Sequence, residues 1–274
     1  MSAKKLMVTG PSSQSGNGPS PAIWASCPVL SIIEDPNVGY HFFDDFLNAP
    51  VLSTSANTGQ WACYADTSNT ITQIATEVGG VVRLETDATD NDSPIITTGG
   101  NSGVMGKIAT GGSKLWFEAR IRVASAALSE QAIFVGLTEE GCAANDGLHS
   151  DNPDTDIAGA MADKDYIGFG NFQSTAPKFA AIYKKAGGTD QIVVANAKTY
   201  ALDTWYKLGI VFAPETDTLY YYVDGAVVGS FDVSAAGTTN FPSGEELALT
   251  VGFKNGAGTA KKLDIDWIRF AQLR

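Results

Sequence analysis

Cleaving a glycosidic bond calls for two carboxyl groups flanking it, one to give a proton and one to attack or to activate water. "DIDWIR" offers one such pair, Asp264 and Asp266, two residues apart. On a strand that spacing puts both on one face, where two carboxyls can share a proton. Calcium asks instead for several oxygens at short spacing. "ETDATDNDS", residues 85–93, supplies Asp87, Asp90 and Asp92, and "EEGCAANDGLHSDNPDTD", residues 139–156, supplies Asp146, Asp151, Asp154 and Asp156. Neither follows the helix–loop–helix calcium pattern, and both read as well as solvated acidic loops. Calcium at Asp87, Asp90 and Asp92 is the one cofactor these residues suggest. Sugar binding needs aromatic platforms beside polar groups. Trp116, Glu118, Arg120 and Arg122 alternate along "KLWFEARIRV", and Tyr220 and Tyr222 along "TLYYYV". Ordinary cross-strand pairing explains the same residues. The only histidines are His41 and His149, and no glycine-rich loop follows a strand and opens a helix to cradle phosphate.

Strands must carry these groups. Leu115, Phe117, Ala119, Ile121 and Val123 share one face of "KLWFEARIRV", so the period is two and the strand half-buried. In "WYKLGIVFAPETDTLYYYVDGAVVGSF", residues 205–231, Tyr206, Leu208, Ile210 and Phe212 face one way, as do Leu219, Tyr221 and Val223. Asp224-Gly225 is a two-residue turn of the kind that needs positive φ at both positions. "EQAIFVGLTE", "DYIGFGNFQ", "PKFAAIYKK", "DQIVVAN", "EELALTVGFK" and "KKLDIDWIRFAQL" extend the series to a dozen strands or more. Helix is scarce, with "DTDIAGAMADKD", residues 154–165, as the one short candidate. No period of 20–50 residues repeats, which removes propellers and solenoids. The expectation is all-β: a two-sheet antiparallel jelly-roll sandwich over residues 36–274.

Residues 1–35 stand apart. "GPSSQSGNGPSPAIWASCP" is rich in Gly, Ser and Pro, yet Trp24, Val29, Leu30, Ile32 and Ile33 follow or interrupt it. The stretch reads as an extended N-terminal arm. Its apolar residues either dock back on their own domain or order against a neighbouring subunit. The net charge is −12 over 274 residues, and the only charges before Glu34 are Lys4 and Lys5. So acidic a body repels nucleic acid and anionic membrane surfaces, and both are set aside as partners. Three widely spaced cysteines, Cys27, Cys63 and Cys142, form neither a disulfide framework nor a zinc site and read as reduced thiols. The apolar run near the start is too short for a signal-peptide core.

"LWFEARIRV", "WYKLGIVF…TLYYYVDGAVVGSF" and "LDIDWIRF" occur in that order, and the order resembles the concanavalin A-like lectin/glucanase superfamily, with its laminin-G-like domains, over residues 40–274. The resemblance implies that "DIDWIR" is the closing strand of the sandwich, which gives Asp264 and Asp266 a structural reading. It also implies where catalysis would sit: in a Glu-x-Asp-x-x-Glu strand soon after "FEARI". There the chain has Glu130 followed by Gln, Ala, Ile and Phe, so the expectation is no enzyme.

Two functions remain. An arm on a lectin-like sandwich resembles accessory virion proteins of tailed bacteriophages. On that reading the chain is a capsid decoration (cement) protein, assembled in the host cytoplasm and located in the virion. It would be an oligomer, such as a trimer, bound to the major capsid or another virion protein through Trp24, Val29, Leu30, Ile32 and Ile33. The alternative is a glycan-binding attachment module of a phage particle or cell-surface protein. It would bind through Trp116, Glu118, Arg120, Arg122, Tyr220 and Tyr222.

Overall fold

The computed structural model describes residues 16–47, 60–65, 68–98, 105–144, 147–150, 161–172, 176–234, 240–256 and 258–274. Strands and helices are numbered in chain order. One sheet runs β14 (Ala226–Asp232), β13 (Thr218–Val223), β12 (Trp205–Ala213), β7 (Leu115–Val123), β16 (Lys262–Leu273), β4 (Val82–Glu85) and β3 (Thr70–Gln73). The other runs β11 (Gln191–Thr199), β10 (Lys178–Lys184), β9 (Tyr166–Asn171), β8 (Gln131–Thr138), β15 (Glu246–Asn255), β5 (Ile95–Thr97) and β2 (Ala62–Tyr64). Two further strands attach off these paths: β1 (Gly39–Asp44) on β16, and β6 (Gly106–Lys107) on β15. All the pairings are antiparallel, as expected.

The alternation read from the sequence sets the core. Leu115, Phe117, Ala119, Ile121 and Val123 of β7 point between the sheets, with Tyr206, Leu208, Ile210 and Phe212 of β12 and Leu219, Tyr221 and Val223 of β13. They meet Ile133, Val135 and Leu137 of β8 and Leu249, Val251 and Phe253 of β15 from the facing sheet. Burying such side chains is worth about 1.5–3 kcal/mol each. The Tyr221 hydroxyl, buried among them, donates across the layers to the Ile182 carbonyl at 3.0 Å. Asp224 and Gly225 take φ of 51° and 78°, as the hairpin turn requires.

Both outer faces are also covered, which the sequence did not lead one to expect for β7. Cys142, Leu148, Met161 and Phe172 pack on Ile95, Phe134, Tyr166 and Ile182 outside the second sheet. Residues 16–38 cover the first. The arm is folded here, not extended: α1 (Pro21–Trp24) and α2 (Val29–Glu34) are short helices. Pro21 opens α1 where its fixed φ suits a helix and its missing N–H costs nothing. Ile23, Trp24 and Ile32 bury themselves on Trp116, Val211 and Ala271, the outward residues of three adjacent strands. The described part of the arm, from residue 16 on, is therefore docked on its own domain. The three cysteines are unbridged, and burial pushes the Cys63 thiol up to about 12. Among the described residues no helix is long and apolar enough to cross a membrane. Residues 1–15 and most of the helix expected over 154–165 lie outside the described residues, as do Asp146, Asp151, Asp154 and Asp156.

Gly136, central in β8, has no room for a side chain. A Cβ there would overlap the Ile167 carbonyl and Gly168 Cα of β9, backbone atoms that cannot swing aside. Gly136→Ala is expected to destabilise the chain by about 2 kcal/mol through overpacking. The check is a lower urea midpoint at unchanged m-value.

Candidate functional site

The outer face of the first sheet is built from alternate residues of three strands. Register places Gly209 of β12 and Arg269 of β16 on either side of Glu118 in β7. Glu118 is fully buried. Its Oε2 accepts from the Ser20 backbone N–H at 2.9 Å and from the Trp24 indole N–H at 2.8 Å. Its Oε1 has no close hydrogen-bond partner. Burial holds the carboxyl above its usual range, and the Ser20 hydroxyl and N–H, the Trp24 indole and nearby Lys207 pull it partly back. Gly209 makes the room: a Cβ there would overlap the Ile23 side chain. The Arg269 guanidinium stacks 4.2 Å over the Trp24 ring and donates to His41 Nε2 at 3.0 Å. That bond needs a neutral imidazole, and burial followed by Arg269 lowers His41 to about 4.

One turn further along these strands lies a cleft. β4 pairs with β16 only as far as Ile265, and β1 begins pairing at Ile268. Asp266 and Trp267 fall in this gap, and the β7–β16 register slips there. A bulge re-aims side chains. Here Ile265 and Ile268 enter the core, while Asp266 and Trp267 both line the outer cleft. The cleft holds about 380 Å³, and Phe43, Asp45, Glu77, Arg120 and Trp205 complete its chemistry. Arg120 and Asp266 form an ion pair. Burial raises Asp266, with Arg120 pulling it back and Asp45 and Glu77 adding to the rise. Arg122 binds Asp264 at 2.6 Å and Glu77 at 2.9 Å, while Arg83 reaches Asp264 at 2.7 Å. The Arg120 and Arg122 guanidinium carbons lie 4.4 and 4.5 Å from the Trp205 ring centre.

The residues singled out in the sequence are thus distributed. Trp116 is fully buried beneath the arm, its indole donating to the Ser26 hydroxyl at 3.2 Å, so it offers no open platform. Glu118 is likewise covered. Arg120 lines the cleft, and Arg122 braces it through Glu77 and Trp205. Tyr222 packs against the arm cluster, and Tyr220 is half-buried on β13. Of the arm residues, Trp24 and Ile32 are buried and Val29 packs beside them, whereas Leu30 and Ile33 are 57% and 63% exposed. Asp87 accepts from the Thr89 N–H and Asp90 is exposed. Among the described residues no three His, Cys, Asp or Glu side chains are grouped to hold a metal, Asp87, Asp90 and Asp92 included. Phe43, Asp45, Glu77, Trp205 and Trp267 went unassigned in the sequence. Trp205 carried a signal, because it opens β12 on the outward side of the alternation.

No protein-family model matches the chain, and no curated protein matches its sequence. Solved structures match its fold. A protein of unknown function from Shewanella oneidensis MR-1 aligns with TM-score 0.54 at 16% identity, covering 86% of this chain and 87% of that one. The carbohydrate recognition domain of Emp47p aligns with TM-score 0.54 at 13% identity, over 86% and 97%. A glycosidic hydrolase in its native form aligns with TM-score 0.50 at 17% identity, over 85% and 95%. At such identities the likeness is one of fold alone: a two-sheet antiparallel jelly-roll sandwich of concanavalin A-like architecture.

Beside the cleft, Asp264 joins Arg83 to Arg122. Asp264→Asn leaves two guanidinium groups facing a neutral amide, and a loss of about 3 kcal/mol is expected for a buried pair broken on one side. Urea unfolding of the variant against the parent chain measures it.

Proposed function

We propose that the chain is a non-catalytic glycan-binding module and that the cleft at the β16 bulge is its site. The observation that carries this is the meeting of Phe43, Trp205 and Trp267 with Asp45, Glu77, Asp266 and Arg120 around one hollow. A sugar ring presents an apolar C–H face and a rim of hydroxyls. Aromatic rings take the first, and carboxylates and guanidinium take the second. Glu77 and Asp266 are each ion-paired to an arginine, an arrangement that favours holding over proton transfer. Asp45 has no ion-pair partner among the described residues and is placed to accept from hydroxyls. Three carboxylates against one guanidinium in the cleft, on a chain of net charge −12, favour neutral and amino sugars over uronic and sialic acids. The carbohydrate recognition domain among the fold neighbours supports the reading at the level of fold.

The test is calorimetric titration with neutral cello-, laminari- and manno-oligosaccharides and with oligogalacturonate. Binding to a neutral series is expected. Trp205→Ala should weaken it about tenfold or more, the equivalent of roughly 1.4 kcal/mol, with the fold intact by circular dichroism. No new reducing ends should appear. Binding to oligogalacturonate alone, or indifference to Trp205→Ala, would contradict the site.

A second reading rests on one observation: Leu30 and Ile33, three residues apart on α2, face solvent although Ile23, Trp24 and Ile32 are docked. They offer a contact strip, as a capsid decoration protein that meets its shell or a second copy would require. Leu30→Ser/Ile33→Ser would then abolish assembly in light scattering and co-sedimentation with particles. An unchanged mass and unchanged sedimentation would remove this reading.

A further inference from the structure

Residues 16–20 do more than lead into the docked helices. Asn17, Gly18 and Pro19 form one wall of the cleft. They are held there by the same side chains that line or flank it. The Trp267 indole donates to the Asn17 carbonyl at 2.8 Å, and Arg120 donates to the Asn17 side-chain oxygen at 3.1 Å. Lys207, buried beside them, reaches the Gly16 and Gly18 carbonyls at 3.3 and 3.4 Å. Next in line, Ser20 and Trp24 converge on Glu118, and Ile23 fills the space that Gly209 leaves.

We infer that the arm is the movable half of the binding site, so that ligand binding and arm docking are one linked equilibrium. Glu118 is the positioning residue that fixes the arm's register. This rests on the glycan reading and adds its regulation. With the arm away, the cleft loses the wall that Asn17–Pro19 provide. Arg120 and Trp267 then each lose one hydrogen-bond partner, the Asn17 side-chain oxygen and the Asn17 carbonyl. A ligand seated against that wall favours the docked arm, and by reciprocity a loosened arm weakens the ligand to the same extent. The register depends on one carboxylate. Oε2 collects two donors four residues apart, a backbone N–H and an indole N–H, and only one placement of α1 brings both to it.

The test uses the full chain and two readouts. Hydrogen exchange at the Ser20, Ile23, Trp24 and Ala25 amides reports arm docking. Titration with cello-, laminari- and manno-oligosaccharides reports the cleft. Saturating oligosaccharide is expected to slow exchange in the arm about tenfold. Ile23 and Glu118 do not themselves line the cleft, so Ile23→Ala and Glu118→Ala leave its lining residues unchanged. Each is expected to speed arm exchange and to weaken binding about tenfold. Glu118→Gln keeps an oxygen for both donors and is expected to restore docking and affinity together. Two results would overturn the inference while leaving the glycan site standing: oligosaccharide bound with arm exchange unchanged, or Ile23→Ala loosening the arm with affinity intact. No binding by the parent chain to any of the three series would overturn both the site and its regulation.

Discussion

A single buried carboxylate organises the outer face of the first sheet. Glu118 lies in the middle of β7, out of reach of water, with Gly209 on one side and Arg269 on the other. A carboxylate in such a place is costly unless donors reach it. The sandwich gives it none of the hydrogen bonds it makes; both come from Ser20 and Trp24. The arm's position is therefore specified by more than apolar contact. Ile23, Trp24 and Ile32 supply the burial, and Glu118 selects which of many greasy placements is adopted. One oxygen of Glu118 is left without a close donor, so docking is less favourable than a fully satisfied contact would be.

The cleft arises from a second constraint, the seam where β1 and β4 share one edge of β16. Neither strand pairs with Asp266 and Trp267, and the bulge turns both toward the cleft, where Phe43 of β1 and Asn17 of the arm close on Trp267. Charge then sets their positions. Asp264 gathers Arg83 and Arg122, Asp266 takes Arg120, and Trp205 receives both Arg120 and Arg122 on its face. Stacked guanidinium groups stay hydrogen-bonded at their edges, so Trp205 is held without losing the ion pairs. The result is a rigid aromatic and acidic floor, with a wall made from a different part of the chain.

The strand core was legible because period two survives in any single strand. The faces of β7, β12 and β13 follow directly from alternation, and the Asp224-Gly225 turn from its φ requirement. The order of "FEARI", "YYYVDG" and "DIDWIR" marked the sandwich. The cleft was not legible, because it depends on pairing. Asp45, Glu77 and Trp267 come together only once β1 and β4 divide the edge of β16, and the bulge has no sequence mark of its own. Trp116 and Glu118 looked like an open face for the same reason. Alternation says that a residue points outward, and it says nothing about what covers it. The arm was recognised as a separate element from its composition. Its docked helices follow from Pro21 and from apolar outward residues on three strands that are neighbours only in the fold.

The most direct measurement follows the indole N–H resonances of the five tryptophans while neutral oligosaccharide is titrated in. The account predicts saturable shifts at Trp205 and Trp267 in the cleft, at Trp24 in the arm, and at Trp116, which the arm buries and whose indole donates to Ser26. Trp61 should stay in place. Shifts elsewhere, or none at any concentration that saturates the sugar's solubility, would contradict a glycan site at the β16 bulge.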